Sequence, residues 1–91
     1  MRPDVVIYEV GPRDGLQNEP VALDVATRIA FVEALAAAGC PAIEVGAFVH
    51  PARVPQMAGT ADVFRSLAPR PGVRYLALVP NLAGLDLAHE V

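Results

Sequence analysis

The residues able to do chemistry fall in two short stretches of the chain. Arg13 and Asp14 stand side by side in Gly11-Pro12-Arg13-Asp14-Gly15, directly after an apolar run. A carboxylate just past a strand end can hold a hard divalent cation, while a neighbouring guanidinium clamps an anionic substrate oxygen. Read as a local ion pair, the same two residues would only tie down their loop. Glu44 sits between Ile43 and Val45, and a carboxylate inside so apolar a segment is costly unless a cation or a donor answers it. It is therefore either a site residue or a strand residue aimed at Arg13 for structure alone.

Other polar residues carry weaker signals. Gln17, Asn18 and Glu19 are turn formers by type. His50 has no second histidine at ligand spacing, since His89 lies 39 positions on, and reads as a solvent-facing loop residue. Cys40 follows Gly39 at a helix end and reads as a structural thiol. Asn81 suits a helix cap, although a position after a third strand would also put it beside a catalytic face.

Three strands and three helices must position these groups. Val5 to Val10 is a nearly continuous β-branched run ending at Gly11-Pro12, the pattern of a strand buried on both faces. Asp24 can cap a helix whose apolar positions Val25, Ile29, Val32, Leu35 and Ala36 recur at three and four, with Gly39 as its left-handed stop. Ala42 to Ala47 is a second buried strand. Phe48 to Gly59 is a long linker, packed by Phe48, Pro55 and Met57, and a linker of that length is usually functional or mobile. Thr60 can cap a short helix through Ala68, with Val63, Phe64 and Leu67 toward the sheet. Val73 to Val79 gives a third strand, and Asn81 opens a last helix at Leu82.

Strand and helix alternating in this way predict right-handed βαβ units and a parallel sheet. The loop after the first strand lacks the glycine spacing of a phosphate cradle. An acid and a base at that strand end fit the catalytic face of a (β/α)₈ barrel, which needs about 250 residues. The expected fold is thus α/β, the (βα)₃ portion of a TIM barrel over residues 1–91, with its remaining surface to be supplied elsewhere.

Composition excludes several alternatives. Of 91 residues, 54% are hydrophobic and 19% charged, which rules out a disordered tail. The longest uncharged apolar stretch, Ala34 to Ile43, is half the length a spanning helix requires, so no membrane partner is expected. A net charge of −3 with scattered basic residues argues against nucleic acid. A single cysteine and no apolar leader suggest a cytoplasmic protein.

Tyr8 to Glu19, reading YEVGPRDGLQNE, closely resembles the opening segment of 3-hydroxy-3-methylglutaryl-CoA lyases. Ile43 to Pro51 with Val54-Pro55-Gln56-Met57 resembles their second-strand segment, and Val79-Pro80-Asn81-Leu82 with Gly84 their third. The Arg-Asp-Gly element alone is shared with a wider group of aldol-type barrels. Leu-Gln-Asn-Glu and Val-Pro-Gln-Met point to the lyase branch.

The resemblance implies a TIM barrel dependent on a divalent metal, Mg²⁺ or Mn²⁺, that cleaves hydroxymethylglutaryl-CoA to acetyl-CoA and acetoacetate. By carry-over Asp14 is a metal ligand and Arg13 stabilises the developing enolate oxygen. Glu44 supports Arg13, and Gln17 and Asn81 lie toward the substrate. Ala47 and His50 depart from the family, which often has serine there. The family's two-histidine motif, its asparagine ligand and its cysteine loop belong to later strands, so this segment by itself is expected to be inactive. A related acyl-CoA aldolase or synthase is the enzymatic alternative. A non-catalytic barrel fragment that self-associates or docks on a complementary fragment is the structural one.

Overall fold

A computed structural model describes residues 6–91. In chain order it comprises β1 (Tyr8–Glu9), α1 (Val25–Ala37), β2 (Ala42–Ala47), α2 (Thr60–Ser66), β3 (Arg74–Leu78) and α3 (Leu82–Ala88). The strands form one parallel sheet in the order β1-β2-β3, with Tyr8 opposite Ala42 and Ile43 opposite Tyr75. This is the expected βαβ arrangement. Among the described residues no helix is long and apolar enough to cross a membrane.

The three strands are not equivalent. Every residue of β2 is buried, because it alone has a strand on each side. The run from Val5 shortens to two paired residues, with Val5 itself outside the described residues. Val6 and Ile7 are 66% and 61% exposed, so this strand is not buried on both faces. β3 is likewise only partly covered and pairs over Arg74–Leu78 rather than from Val73 to Val79. Among the described residues β1 and β3 are edges, each with a single neighbour, and apolar content cannot bury a strand that lacks a second one.

α1 begins as its sequence predicts. The Asp24 carboxylate accepts a hydrogen bond from the Thr27 N–H at 2.7 Å, answering one of the donors a helix start leaves unpaired. At its other end Cys40 N–H donates to Leu35 O and Gly39 N–H to Ala36 O, with Gly39 at φ +97°. These are the bonds of a Schellman stop. Val32 and Ala36 of α1, Ile43 and Val45 of β2 and Val63 of α2 make the buried core.

Two details of α2 differ from expectation. Gly59, not Thr60, occupies the cap position, and the Thr60 hydroxyl instead accepts from Arg28 Nη2 at 2.9 Å while donating to Met57 O at 2.7 Å. The helix also stops at Ser66 rather than Ala68, where Pro69 disfavours a helical residue before it. In the linker, Phe48 and Met57 are buried as expected, and Phe48 stacks on Phe64. Pro55 is exposed, since it opens the single helical turn Pro55–Met57 that turns Met57 inward.

Candidate active site

The end of β1 builds the site locally. The N–H groups of Arg13, Asp14 and Gly15 all converge on the carbonyl of Val10, at 3.1, 2.7 and 3.3 Å. They close a wide helical turn over Gly11–Gly15, started by Pro12 and wider than an α-helical one. Such turns are uncommon and recur at functional sites. This one projects Arg13 back over the sheet toward β2.

Glu44 meets it there. Ile43 and Val45 join the core under α1, so the alternation of a strand sends Glu44 to the opposite face. One carboxylate oxygen, Oε1, pairs with the Arg13 Nε. The other, Oε2, accepts from the Tyr8 hydroxyl at 2.9 Å. The side chains of Arg13 and Glu44 are 20% and 11% exposed, so the pair is largely desolvated. Because Glu44 occupies the Nε and Asp14 meets Nη1 only at 3.4 Å, Nη2 and the loosely held Nη1 are the donors left for an anion. Burial raises the Tyr8 pKa above its ordinary 10.0, and the hydrogen bond to Glu44 adds to the effect, since an ionised phenol would face a carboxylate.

Asp14 has a different character. Its side chain is 55% exposed and its Oδ1 stands 3.4 Å from an Arg13 Nη1. The local Arg13–Asp14 pair is therefore loose, while Arg13 makes its firmer bond with Glu44. An accessible carboxylate of this kind suits a hard divalent cation as one ligand of several. Among the described residues no three histidine, cysteine, aspartate or glutamate side chains cluster to complete such a site.

Gln17 and Asn81 are not drawn into the Glu44 cluster. Gln17 lies half-buried just beyond the wide turn. Asn81 follows β3 and caps α3, its Oδ1 accepting from the Gly84 N–H at 2.8 Å. It follows β3 as Arg13 follows β1, and its reading as a helix cap holds. His50 is exposed, as expected, and Cys40 is a partly buried free thiol.

Two contributors escaped the sequence reading. Tyr8 was read only as part of an apolar strand. Arg28 falls on the apolar stripe of α1, three residues after Val25 and four before Val32, and a cation at that spacing was the available signal. It is 1% exposed. Its Nη1 donates to Ala58 O at 2.5 Å and its Nη2 to Thr60 Oγ1 at 2.9 Å. No carboxylate answers it among the ion pairs of the described residues, and its Nε has no partner. Burial lowers its pKa from the usual arginine value, yet arginine stays charged in any ordinary pH range.

The sheet accommodates Arg28 at Gly46. A Cβ there would stand 2.6 Å from Thr60 Oγ1 and 2.8 Å from Arg28 Nη2, so any side chain at this position would have to displace them. The register of β2 against β3 shifts between Glu44 and Gly46, and irregularities of this kind re-aim side chains beside active sites. Through Ala58 and Thr60, Arg28 fastens the far end of the linker that follows β2. Gln56 fastens its middle, donating to Glu19 O at 2.7 Å.

Comparison with known proteins agrees with this geometry. The HMGL-like family model matches residues 4–88. The chain belongs to the HMGL-like family. The 3-hydroxy-3-isohexenylglutaryl-CoA/hydroxymethylglutaryl-CoA lyase of Pseudomonas aeruginosa is 57% identical over 86 residues, which cover 94% of this chain and 29% of the relative. A crystal structure of hydroxymethylglutaryl-CoA lyase from the same species superposes with a TM-score of 0.91 at those coverages. The (R)-citramalyl-CoA lyase of Chloroflexus aurantiacus is 49% identical over 94 residues, covering 92% of this chain and 30% of that protein. An Acinetobacter baumannii HMG-CoA lyase solved with coenzyme A and 3-methylmalate gives a TM-score of 0.91 at 34% identity, over 99% of this chain and 30% of the other. The chain spans less than a third of the length of these HMGL-like relatives, corresponding to their N-terminal portion, and its sheet is a partial TIM barrel.

Proposed function

We propose that residues 1–91 are the N-terminal barrel segment of a hydroxymethylglutaryl-CoA lyase, contributing the groups that handle the oxyanion of a retro-aldol cleavage. The observation that carries this reading is the Tyr8–Glu44–Arg13 cluster on a parallel sheet, in which Arg13 follows the C-terminal end of β1, the end where barrel enzymes build their sites. In the cleavage, the bond between the hydroxyl-bearing carbon and the thioester's α-carbon breaks. The electron pair passes to the thioester as an enolate, which takes up a proton to become acetyl-CoA. The hydroxyl loses its proton and becomes the ketone of acetoacetate.

Arg13 is the group suited to the developing enolate oxygen, its Nη hydrogens forming a preorganised donor pair in a largely dry setting. Glu44 holds the guanidinium at its Nε and offsets its charge, and Tyr8 fixes the carboxylate from the other side. Asp14 would be one ligand of a divalent cation such as Mg²⁺ or Mn²⁺, which when bound supplies Lewis-acid polarisation of substrate oxygens. Gln17 and Asn81 would border the acyl-CoA. The remaining strands of the barrel would come from the same polypeptide, from a complementary fragment or from a second copy, and the cytoplasm is the proposed location.

The test is a chimaera in which residues 6–91 replace the matching segment of the Pseudomonas aeruginosa relative. Acetoacetate release from hydroxymethylglutaryl-CoA, lost on Arg13→Ala and on Asp14→Ala, is the expected result. Full activity in either variant would remove the role assigned to that residue. The likeness to a citramalyl-CoA lyase favours a second reading, a lyase for a related acyl-CoA. Faster cleavage of citramalyl-CoA than of hydroxymethylglutaryl-CoA by the chimaera would select it.

A further inference from the structure

Arg28 is costlier than its work on the linker explains. A buried guanidinium is unfavourable unless a carboxylate or a full set of acceptors answers it. Here its acceptors are two neutral oxygens, Ala58 O and Thr60 Oγ1, and its Nε has no partner. Tying down a loop needs no cation. The guanidinium also lies against β2, at Gly46.

Gly46 is where β2 departs from a regular strand. Glu44 stands opposite Leu76 and Gly46 opposite Ala77, so Val45 is an extra residue on the β2 side, which makes a bulge. Strict alternation would send Gly46 to the face of Glu44. Instead its Cβ direction meets Thr60 Oγ1 and Cγ2 and Arg28 Nη2, at 2.6, 2.9 and 2.8 Å, on the helix side where Val45 joins the core. A bulge bends and twists its strand, and so sets how the residue before it is aimed. That residue is Glu44.

Arg28 and Thr60 support the bulge from behind. Together they fill the space that a side chain at position 46 would take. They are themselves fixed, since the Thr60 hydroxyl donates to the carbonyl of buried Met57 at 2.7 Å. On the other face both Glu44 carboxylate oxygens are engaged, by the Arg13 Nε and the Tyr8 hydroxyl. We infer that Arg28 is a positioning residue for the cleavage: seated against the Gly46 bulge, it keeps Glu44 in the orientation that holds Arg13. This inference rests on the role given to Arg13 above. A planar guanidinium with donors in a fixed fork can lie against a glycine and bond sideways at once, which the point charge of a lysine cannot reproduce.

The experiment follows turnover in the chimaera and, by NMR with isotope-labelled arginine, the Nε–H signal of Arg13, assigned by its loss in Arg13→Ala. In Arg28→Lys kcat should fall about tenfold, as when a group at the chemistry is slightly misplaced, with KM little changed. The Arg13 signal should shift and exchange faster with solvent. Thr60→Val keeps the shape and removes the acceptor of Nη2. It should act in the same direction to a smaller extent, and it carries the test if the lysine variant does not fold. Val63→Ala truncates the core from the same helix, outside the nearest contacts of Gly46, and should lower stability while leaving kcat and the Arg13 signal in place. An unmoved Arg13 signal or an unchanged kcat in both test variants, or an equal response to Val63→Ala, would overturn the inference and leave the lyase reading standing. A chimaera that releases no acetoacetate would overturn the lyase reading, and the Arg13 signal alone would then decide whether Arg28 positions Glu44.

Discussion

Arg13 and Arg28 put the same side chain on the two faces of β2, in opposite circumstances. On one face Arg13 meets a carboxylate, which offsets its charge and fixes its Nε, and of its other donors only Nη1 has a partner, the loosely held Asp14. On the other face Arg28 is more deeply buried, meets only the neutral oxygens of Ala58 and Thr60, and has no outward donor. The difference shows what a paired carboxylate does for an arginine in a site. Arg13 is held without being used up, whereas Arg28 is consumed in holding the linker.

The largest effect that sharpens this contrast is on rate. In the active chimaera Arg13→Ala should cut turnover by about 10²- to 10³-fold, the range for losing a preorganised oxyanion donor, and it should also lower the unfolding midpoint, because Glu44 is left without its cation. Glu44→Gln should cost less, because Arg13 keeps its charge and loses only its anchor. A rate within threefold of the parent for Arg13→Ala would break the comparison from the front.

From the back, the expected loss is in stability. Arg28→Ala leaves Ala58 O and Thr60 without their donor and opens a cavity beneath the linker, for a cost of about 2 to 4 kcal/mol read from the urea midpoint. Arg28→Lys, which keeps the charge and one donor direction, should fall between. Gly46→Ala belongs with them, since its Cβ would press on Thr60 and Arg28; overpacking of that kind costs about 1 to 3 kcal/mol. An unchanged midpoint for Gly46→Ala would mean that Arg28 does not lie against β2.

A smaller and more specific effect is the titration of Tyr8. Its pKa is raised by burial and then by Glu44, so the folded state favours the protonated phenol. Its contribution to stability is complete below the ordinary 10.0 and is lost as pH rises through the raised value. Phenolate absorbance in a Tyr75→Phe background should show Tyr8 titrating above 10.0, and Glu44→Gln should return it toward that value. The smallest effect is at the start of α1, where the Thr27 bonds lower the Asp24 pKa below 3.8. A carboxylate with a depressed pKa contributes stability above its unfolded value, lost as pH falls through the folded one. Asp24→Ala should remove that acid-side slope, followed by circular dichroism.

Much of this was legible in the chain. The caps of α1, the Gly39 stop and the bounds of β2 follow from local chemistry, because each is decided within a few residues. Glu44 was legible as costly, and Arg13 as its possible answer, since few residue types can sit in an apolar strand without a partner. Tyr8 and Arg28 were not. A tyrosine in a β-branched run and an arginine in an amphipathic helix are ordinary until a residue 36 or 32 positions away comes within hydrogen-bonding distance. The exposure of β1 and β3 follows from the strand count, since three strands of a barrel leave two open edges, while apolar composition says only what a strand prefers.

The alternation of strands and helices, the polar residue types after the strands and the motifs that carry the family resemblance are all readable along the chain. Only the tertiary structure decided that Glu44 binds Arg13 rather than leaving it to Asp14, and that Arg28 faces inward against Gly46. Local elements are governed by short-range backbone preferences, readable along the chain. Partner choice among charged side chains depends on register, on which face each strand residue takes and on how far each group is removed from water, and those are fixed only when the sheet and helices pack together.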